Sequence, residues 1–375
     1  MTRPPKRSRS CSAVLLVVGI VVAACGPGPT PSIAQTTEPV ATTDSADPWT
    51  RIDVPDPGGT FTDIATTASG VVIVGPAGPA AQLARAWNSP DGLAWAVDQL
   101  PSDGRTPSLL MPWKDQVVAI GGGVSNRCAH PAALDSWLRT SDGVWQEAPW
   151  ADIFCAGGTP SAAAASDHVV VAGSGTGDVP FLWFSDDALR WTDIPLPRDV
   201  GFPRAVASIG ATDVLMGTSL EGSVWTSLSR GGVTWSTPAP LGGPAADVLS
   251  VLSLNGKFVA ILRTEAGVVG AYESADGAAW TSAQAVGIDG QQVGRIVAVD
   301  GGLVALGADE SGPRLWASAD GTNWRAVAAP LDVGVTGSLQ GVAVSRGRVF
   351  VVGQASSVPE SIGAAWMAPV ALIAP

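Results

Sequence analysis

The chain has 375 residues, of which 14% are charged and 46% hydrophobic, and it carries 45 glycines and 30 prolines. The chain is thus turn-rich and sparsely charged yet apolar enough to bury a large core, a pattern that favours many short strands over long helices. The 33 acidic residues outnumber the 21 basic ones, for a formal net charge of −12, a sign that repels phosphate backbones and argues against nucleic acid as a partner.

The first segment is an address. Arg3, Lys6, Arg7 and Arg9 precede an apolar run from Ala13 to Ala24, the layout of a signal peptide over 1–24 and well short of the roughly 20 residues a spanning helix needs. Removing those four basic residues takes the net charge from −12 to −16. Residues 26–46 are rich in Pro, Thr, Ser and Gly without apolar periodicity, so 25–46 reads as a flexible tether and 47–375 as the folded part.

That folded part repeats. Trp49, Trp95, Trp145, Trp191, Trp235, Trp280 and Trp324 recur every 44 to 50 residues, a period that points to propeller blades or solenoids. A second aromatic precedes each of the last six, at Trp87, Trp137, Trp183, Trp225, Tyr272 and Trp316, across a turn-like string such as SPDGLAW or SADGTNW. Upstream of each hairpin lies a β-branched run bounded by glycine, for example GVVIVGP (70–76) and RVFVVGQ (348–354), which reads as a buried strand. A shorter segment before it completes four strands per unit.

The last unit ends at Trp366 without its fourth strand, and the opening WTRIDVP (49–55) is a fourth strand without a unit. The expectation is therefore an all-β, seven-bladed β-propeller of four-stranded blades, closed by strand 49–55, which removes the free sheet edges. The paired tryptophans read as inter-blade core. Trp113 and Trp150 fall outside the register and are left as candidate surface contacts.

Two resemblances follow from these motifs. Val22-Ala23-Ala24-Cys25 resembles the bacterial lipobox, which implies a diacylglycerol on Cys25 and an exported protein held on the extracytoplasmic face of a membrane. The turn strings resemble the Asp-box of bacterial neuraminidase-like repeats, though one residue shorter between Asp and Trp. Here Asp91, Asp142, Asp276 and Asp320 are expected to accept amide hydrogen bonds within their own turns, beside glycines that permit positive φ. Blade 3 has Ala188 for the glycine and blade 4 has Gly231 for the aspartate, so those two hairpins are expected to use different turns.

The catalytic apparatus of that family is not evident. The resemblance implies an arginine cluster, a tyrosine nucleophile and an acidic partner, but the one tyrosine, Tyr272 beside Glu273, occupies a structural aromatic slot. Seven blades also depart from the six of those enzymes. The two histidines, His130 and His168, lie far apart in sequence and away from acidic clusters at ligand spacing, so neither metal nor cofactor is expected. With Cys11 in the leader and Cys25 lipidated, Cys128 and Cys155 remain on loops of the same propeller face in an oxidising compartment, where a disulfide is expected.

Residues at the starts of the innermost strands, Asp63, Arg204, Asp247, Arg295 and Gln340, are the candidates for a binding site at the channel mouth. The expected function is a monomeric, lipid-anchored, non-enzymatic module that binds a protein or a glycan. The alternative is a sialidase-like glycoside hydrolase, which requires carboxylates or arginines to converge at that mouth.

Overall fold

In a computed structural model of the protein the described residues are 47–375, apart from 78–82, 102–104, 125–126, 130–131, 176, 178, 198–199, 243–246, 291, 357–361 and 375. The signal segment, Cys25, the tether and His130 lie outside them. Residues 46–375 form one compact unit.

Seven four-stranded antiparallel sheets follow one another along the chain. Blades 1 to 6 span 63–98, 105–147, 159–193, 202–240, 247–284 and 293–327. Blade 7 takes three strands from 338–369 and its outermost strand, Thr50–Ile52, from the opposite end of the chain. That closing strand pairs Thr50 with Met367, Arg51 with Trp366 and Ile52 with Ala365.

The β-branched runs are the second strands, and alternation explains their burial on both faces: each sheet packs against a blade on either side. Val71 to Val74, Val117 to Ile120 and Val349 to Val352 are all at or below 1% exposure. The third-strand rings fill the wedge between blades, with Trp87, Trp137 and Trp366 fully buried. Each of these three indoles also donates to the connector leaving the preceding blade, to the carbonyls of Pro55 and Pro101 and to the carboxylate of Asp332. Trp113 corrects the surface expectation: it ends an innermost strand, is 6% exposed, and belongs to the core shared by blades 2 and 3. Trp150 is half-buried, with its ring against Phe154.

The hairpin turns have one geometry in most blades. In blade 1 the amides of Leu93 and Ala94 donate to Asp91 Oδ1 at 2.9 and 3.1 Å, Gly92 N–H donates to Ser89 Oγ, and the Trp95 indole donates to the Gly92 carbonyl. Blades 5 and 6 repeat it around Asp276 and Asp320. Asp142 of blade 2 instead accepts from the Thr140 hydroxyl. These amides hold the Asp91 and Asp276 carboxylates below the ordinary range.

Contrary to expectation, blade 3 keeps the carboxylate cap and the positive φ of this turn, whereas blade 4 departs from it as expected, with positive φ at both Gly231 (+83°) and Gly232 (+74°). Ala188 occupies the glycine position at φ +59° and is fully buried, and Asp187 takes the capping role for the amides of Leu189 and Arg190 at 2.9 and 2.7 Å. Burial pushes Asp187 up, but the amide and guanidinium of Arg190 outweigh it and bring the carboxyl to about 2. In blade 4 the Trp235 indole still donates to the Gly232 carbonyl at 2.8 Å.

Cys128 and Cys155 form a disulfide with Cα atoms 5.3 Å apart. It ties the loop between the second and third strands of blade 2 to the short 3₁₀ helix Asp152–Ala156 that leads into blade 3. For a separation of 27 residues, the chain-entropy account assigns such a bridge about 3 kcal/mol.

Candidate functional site at the channel mouth

The seven innermost strands surround an axial cavity of about 910 Å³. Its shape at one end follows from a backbone irregularity repeated in six blades. The innermost strands of blades 2, 3, 4, 5, 6 and 7 each carry a register shift that leaves one residue unpaired: Ser108, Ser161, Arg204, Leu249, Gly294 and Gln340. A bulge re-aims the side chain it inserts, and all six of these residues line the cavity, as does Thr62 at the corresponding level of blade 1.

Polar links around this ring join neighbouring blades. Thr62 Oγ1 donates to the Pro107 carbonyl of blade 2 at 2.7 Å, Ser161 Oγ to Pro203 of blade 4 at 2.9 Å, and Arg295 Nη1 to Gln340 of blade 7 at 2.8 Å. Asp63 is the most heavily used group. Its Oδ1 accepts from the Ile64 amide, and its Oδ2 accepts from the Leu110 amide of blade 2 at 2.8 Å and from Arg295 of blade 6 at 2.9 Å. It is 1% exposed.

The five sequence candidates therefore share one end of the channel but divide in role. Arg204, Arg295 and Gln340 line the cavity, whereas Asp63 and Asp247 stand behind it as counter-ions. Asp247 accepts from the Val248 amide and from Arg263 at 2.8 Å. Arg204 is 4.0 Å from Asp247, with its guanidinium 5.6 Å from the Phe202 ring, and its side chain is 46% exposed. Among the described residues lining the cavity there are two guanidiniums, two glutamine amides and several hydroxyls, and no carboxylate. An acidic protein thus presents a cationic mouth.

Arg263 completes this cluster and was not among the candidates. Its signal is in the sequence: it ends the run KFVAILR, where the aligned positions of other blades, such as Ser174, Thr218, Ala308 and Gln354, are uncharged. Its partner, Asp247, lies directly across the ladder.

A second charged group in blade 2 is buried rather than open. Arg105, 2% exposed, lies 2.5 Å from Asp135 and 2.8 Å from Glu147, under the half-buried Trp150 ring, which Arg127 approaches from its exposed position. Burial pushes the Asp135 carboxyl up to about 7 despite the Arg105 guanidinium and the Ser136 amide. A carboxyl raised in the folded state contributes stability below its unfolded pKa of about 4 that is lost as pH rises through its folded value. The urea midpoint is expected to fall between pH 4 and 7, and Asp135→Asn is expected to remove most of that slope. An unchanged slope in the variant would contradict the assignment.

The other chemical candidates do not reach the mouth. Tyr272 packs with Trp280 in the core of blades 4 and 5, and Glu273 pairs with Lys257 at 3.2 Å. His168 is 6% exposed, with Nε2 3.0 Å from Asp213, which also accepts from the Ser208 hydroxyl at 2.6 Å. The hydroxyl thus donates to the carboxylate rather than to the imidazole, which is not the arrangement of an activated nucleophile. Among the described residues no three His, Cys, Asp or Glu side chains gather as metal ligands.

No protein-family model matches the chain, and no curated protein does. Several solved structures align with this chain at low similarity. An α-L-arabinofuranosidase from Fusarium graminearum aligns with TM-score 0.49 and 10% identity over 86% of this chain and 98% of its own. Trypanosoma rangeli sialidase aligns with TM-score 0.47 and 11% identity over 87% of this chain, which spans 60% of the sialidase. A Penicillium chrysogenum α-L-arabinanase bound to arabinobiose aligns with TM-score 0.45 and 11% identity over 69% of this chain and 92% of its own.

Proposed function

We propose that the protein is a binding module whose channel mouth captures an anionic group. One observation carries the reading: Arg204 projects from a bulge into a cavity of about 910 Å³ with its side chain 46% exposed, and no described carboxylate lines that cavity. The bulge ring aims it, the nearby Phe202 ring supports it, and Arg263 rather than Arg204 holds Asp247 closely. A carboxylate or sulfate entering the mouth would meet guanidinium donors suited to bidentate recognition.

Arg204 offers a clean test, because removing it leaves Asp247 paired with Arg263. The purified chain is expected to bind carboxylated and sulfated probes in preference to neutral ones, with affinity that falls as salt rises. Arg204→Ala is expected to weaken that binding tenfold or more without changing the melting temperature. Equal binding of neutral probes, or full retention in the variant, would refute the reading.

The module's place is the extracytoplasmic face of a membrane, held by lipid on Cys25; what supports this is the lipobox-like tetrapeptide and the polar tether after it. Cys25→Ala should move the protein from the membrane to the soluble fraction, and unchanged membrane association would refute the anchor.

A second reading, glycoside hydrolysis, is favoured by Asp247, a carboxylate 29% exposed at the same end as three guanidiniums. Two carboxylates facing one bond are the usual requirement, and Asp63 is buried with both oxygens occupied. Turnover of aryl glycosides that is abolished by Asp247→Asn would establish this reading in place of the first.

A further inference from the structure

The end of the propeller that carries the arginines also carries several of the exposed aliphatic side chains, although others, such as Leu93, Val144 and Val233, stand on the strand-3 to strand-4 turns at the opposite end. Val124, Val179, Leu220 and Val268 are 73%, 61%, 65% and 47% exposed. Each lies where the second strand of its blade ends and the third begins, in blades 2, 3, 4 and 5. The registers place these turns at the start of the innermost strands, for Arg263 pairs with both Asp247 and Val269, and Thr218 with both Phe202 and Val224. Four neighbouring blades therefore raise an aliphatic tip at the same end as the mouth.

The tips of blades 4 and 5 are held in place: one hydrogen bond closes each turn, from Ser219 N–H to the Ser223 carbonyl and from Thr264 N–H to the Val268 carbonyl, at 2.8 and 2.9 Å. An ordered apolar tip loses little freedom when it is covered, which favours association. Aliphatic rather than aromatic tips also suit a polypeptide better than a sugar ring, whose faces are matched by flat side chains.

Charge selects further. The mouth offers Arg204 to an acid, whereas Glu221 sits on the same turn as Leu220, beside a chain of strongly negative net charge. A polyanion would meet repulsion at that turn, and a segment with a single acidic group among apolar side chains would not.

Resting on the anion-capture reading above, we infer that the ligand is a polypeptide segment that places one carboxylate in the mouth and covers the aliphatic tips of blades 2 to 5 with its neighbouring apolar residues.

The probe is a phage-displayed library of random dodecapeptides panned on the purified full chain. Enriched sequences should contain an acidic residue flanked by apolar ones. Synthetic versions should bind tenfold or more weakly to the Leu220→Ser, Val268→Ser double variant, and comparably more weakly to Arg204→Ala. Both altered tips are exposed, so the double variant should melt with the wild type.

No enrichment over an unrelated bait, or peptides indifferent to the two serines, would overturn the inference. If anionic oligosaccharides still bind in an Arg204-dependent way, only the polypeptide assignment fails. If Arg204→Ala leaves every probe unaffected, the anion-capture reading fails with it.

Discussion

Deletion of residues 1–46 is expected to leave the unfolding midpoint unchanged, and deletion of 1–56 to lower it sharply. The second deletion removes the strand Thr50–Ile52 and with it the outer edge of blade 7. It also removes Trp49, which is 6% exposed, shares a core with Trp366 and donates from its indole to the Ala328 carbonyl at 2.7 Å. The Pro55 carbonyl that receives the Trp87 indole is lost as well. Trp49→Ala by itself should cost about 3 to 5 kcal/mol, the range for emptying a large aromatic site. Equal melting of the two truncations would mean that the strand does not close the ring.

Asp63→Ala is expected to be as damaging, although the side chain is small. Asp63 connects blades 1, 2 and 6 through the Leu110 amide and Arg295. Its removal strands a buried amide and a guanidinium that loses its counter-ion, a combination that costs about 3 to 5 kcal/mol when a buried pair is broken from one side. Asp63→Asn keeps the shape and one acceptor and should cost less. In urea unfolding, a loss below about 1 kcal/mol for the alanine variant would show that the pair is not a structural clasp.

The blade count and its closure were legible because each blade repeats a local pattern, and the orphan rings Trp49 and Trp366 announce the missing partner at either end. The Cys128–Cys155 bridge was legible by parity and by loop position. The channel mouth was only half legible. Asp63, Arg204, Asp247, Arg295 and Gln340 could be placed at strand starts, but their facing could not, because a bulge is a property of two strands in register. Proline precedes the inserted residue at Pro107, Pro160 and Pro203, but these strands are the edges of their sheets, where proline is admitted with or without a bulge.

Other features depend on tertiary contact in the same way. Arg105, Asp135 and Glu147 come from three strands of blade 2, and their sequence positions carry no hint that they meet. Trp113 lies outside the aromatic period, yet it stands at a strand end that packs on blade 3. Ala188 was a misleading substitution, because the surrounding hairpin holds its positive φ against the residue's own preference.

The most direct test of anion capture at the mouth is a bromide soak of crystals of the protein, with the ions located by anomalous diffraction. The account predicts bromide within contact distance of Arg204 inside the ring formed by Thr62, Ser108, Ser161 and Gln340, and its absence in Arg204→Ala crystals. Bromide confined to the outer surface of the blades, with the mouth empty in the wild type, would contradict it.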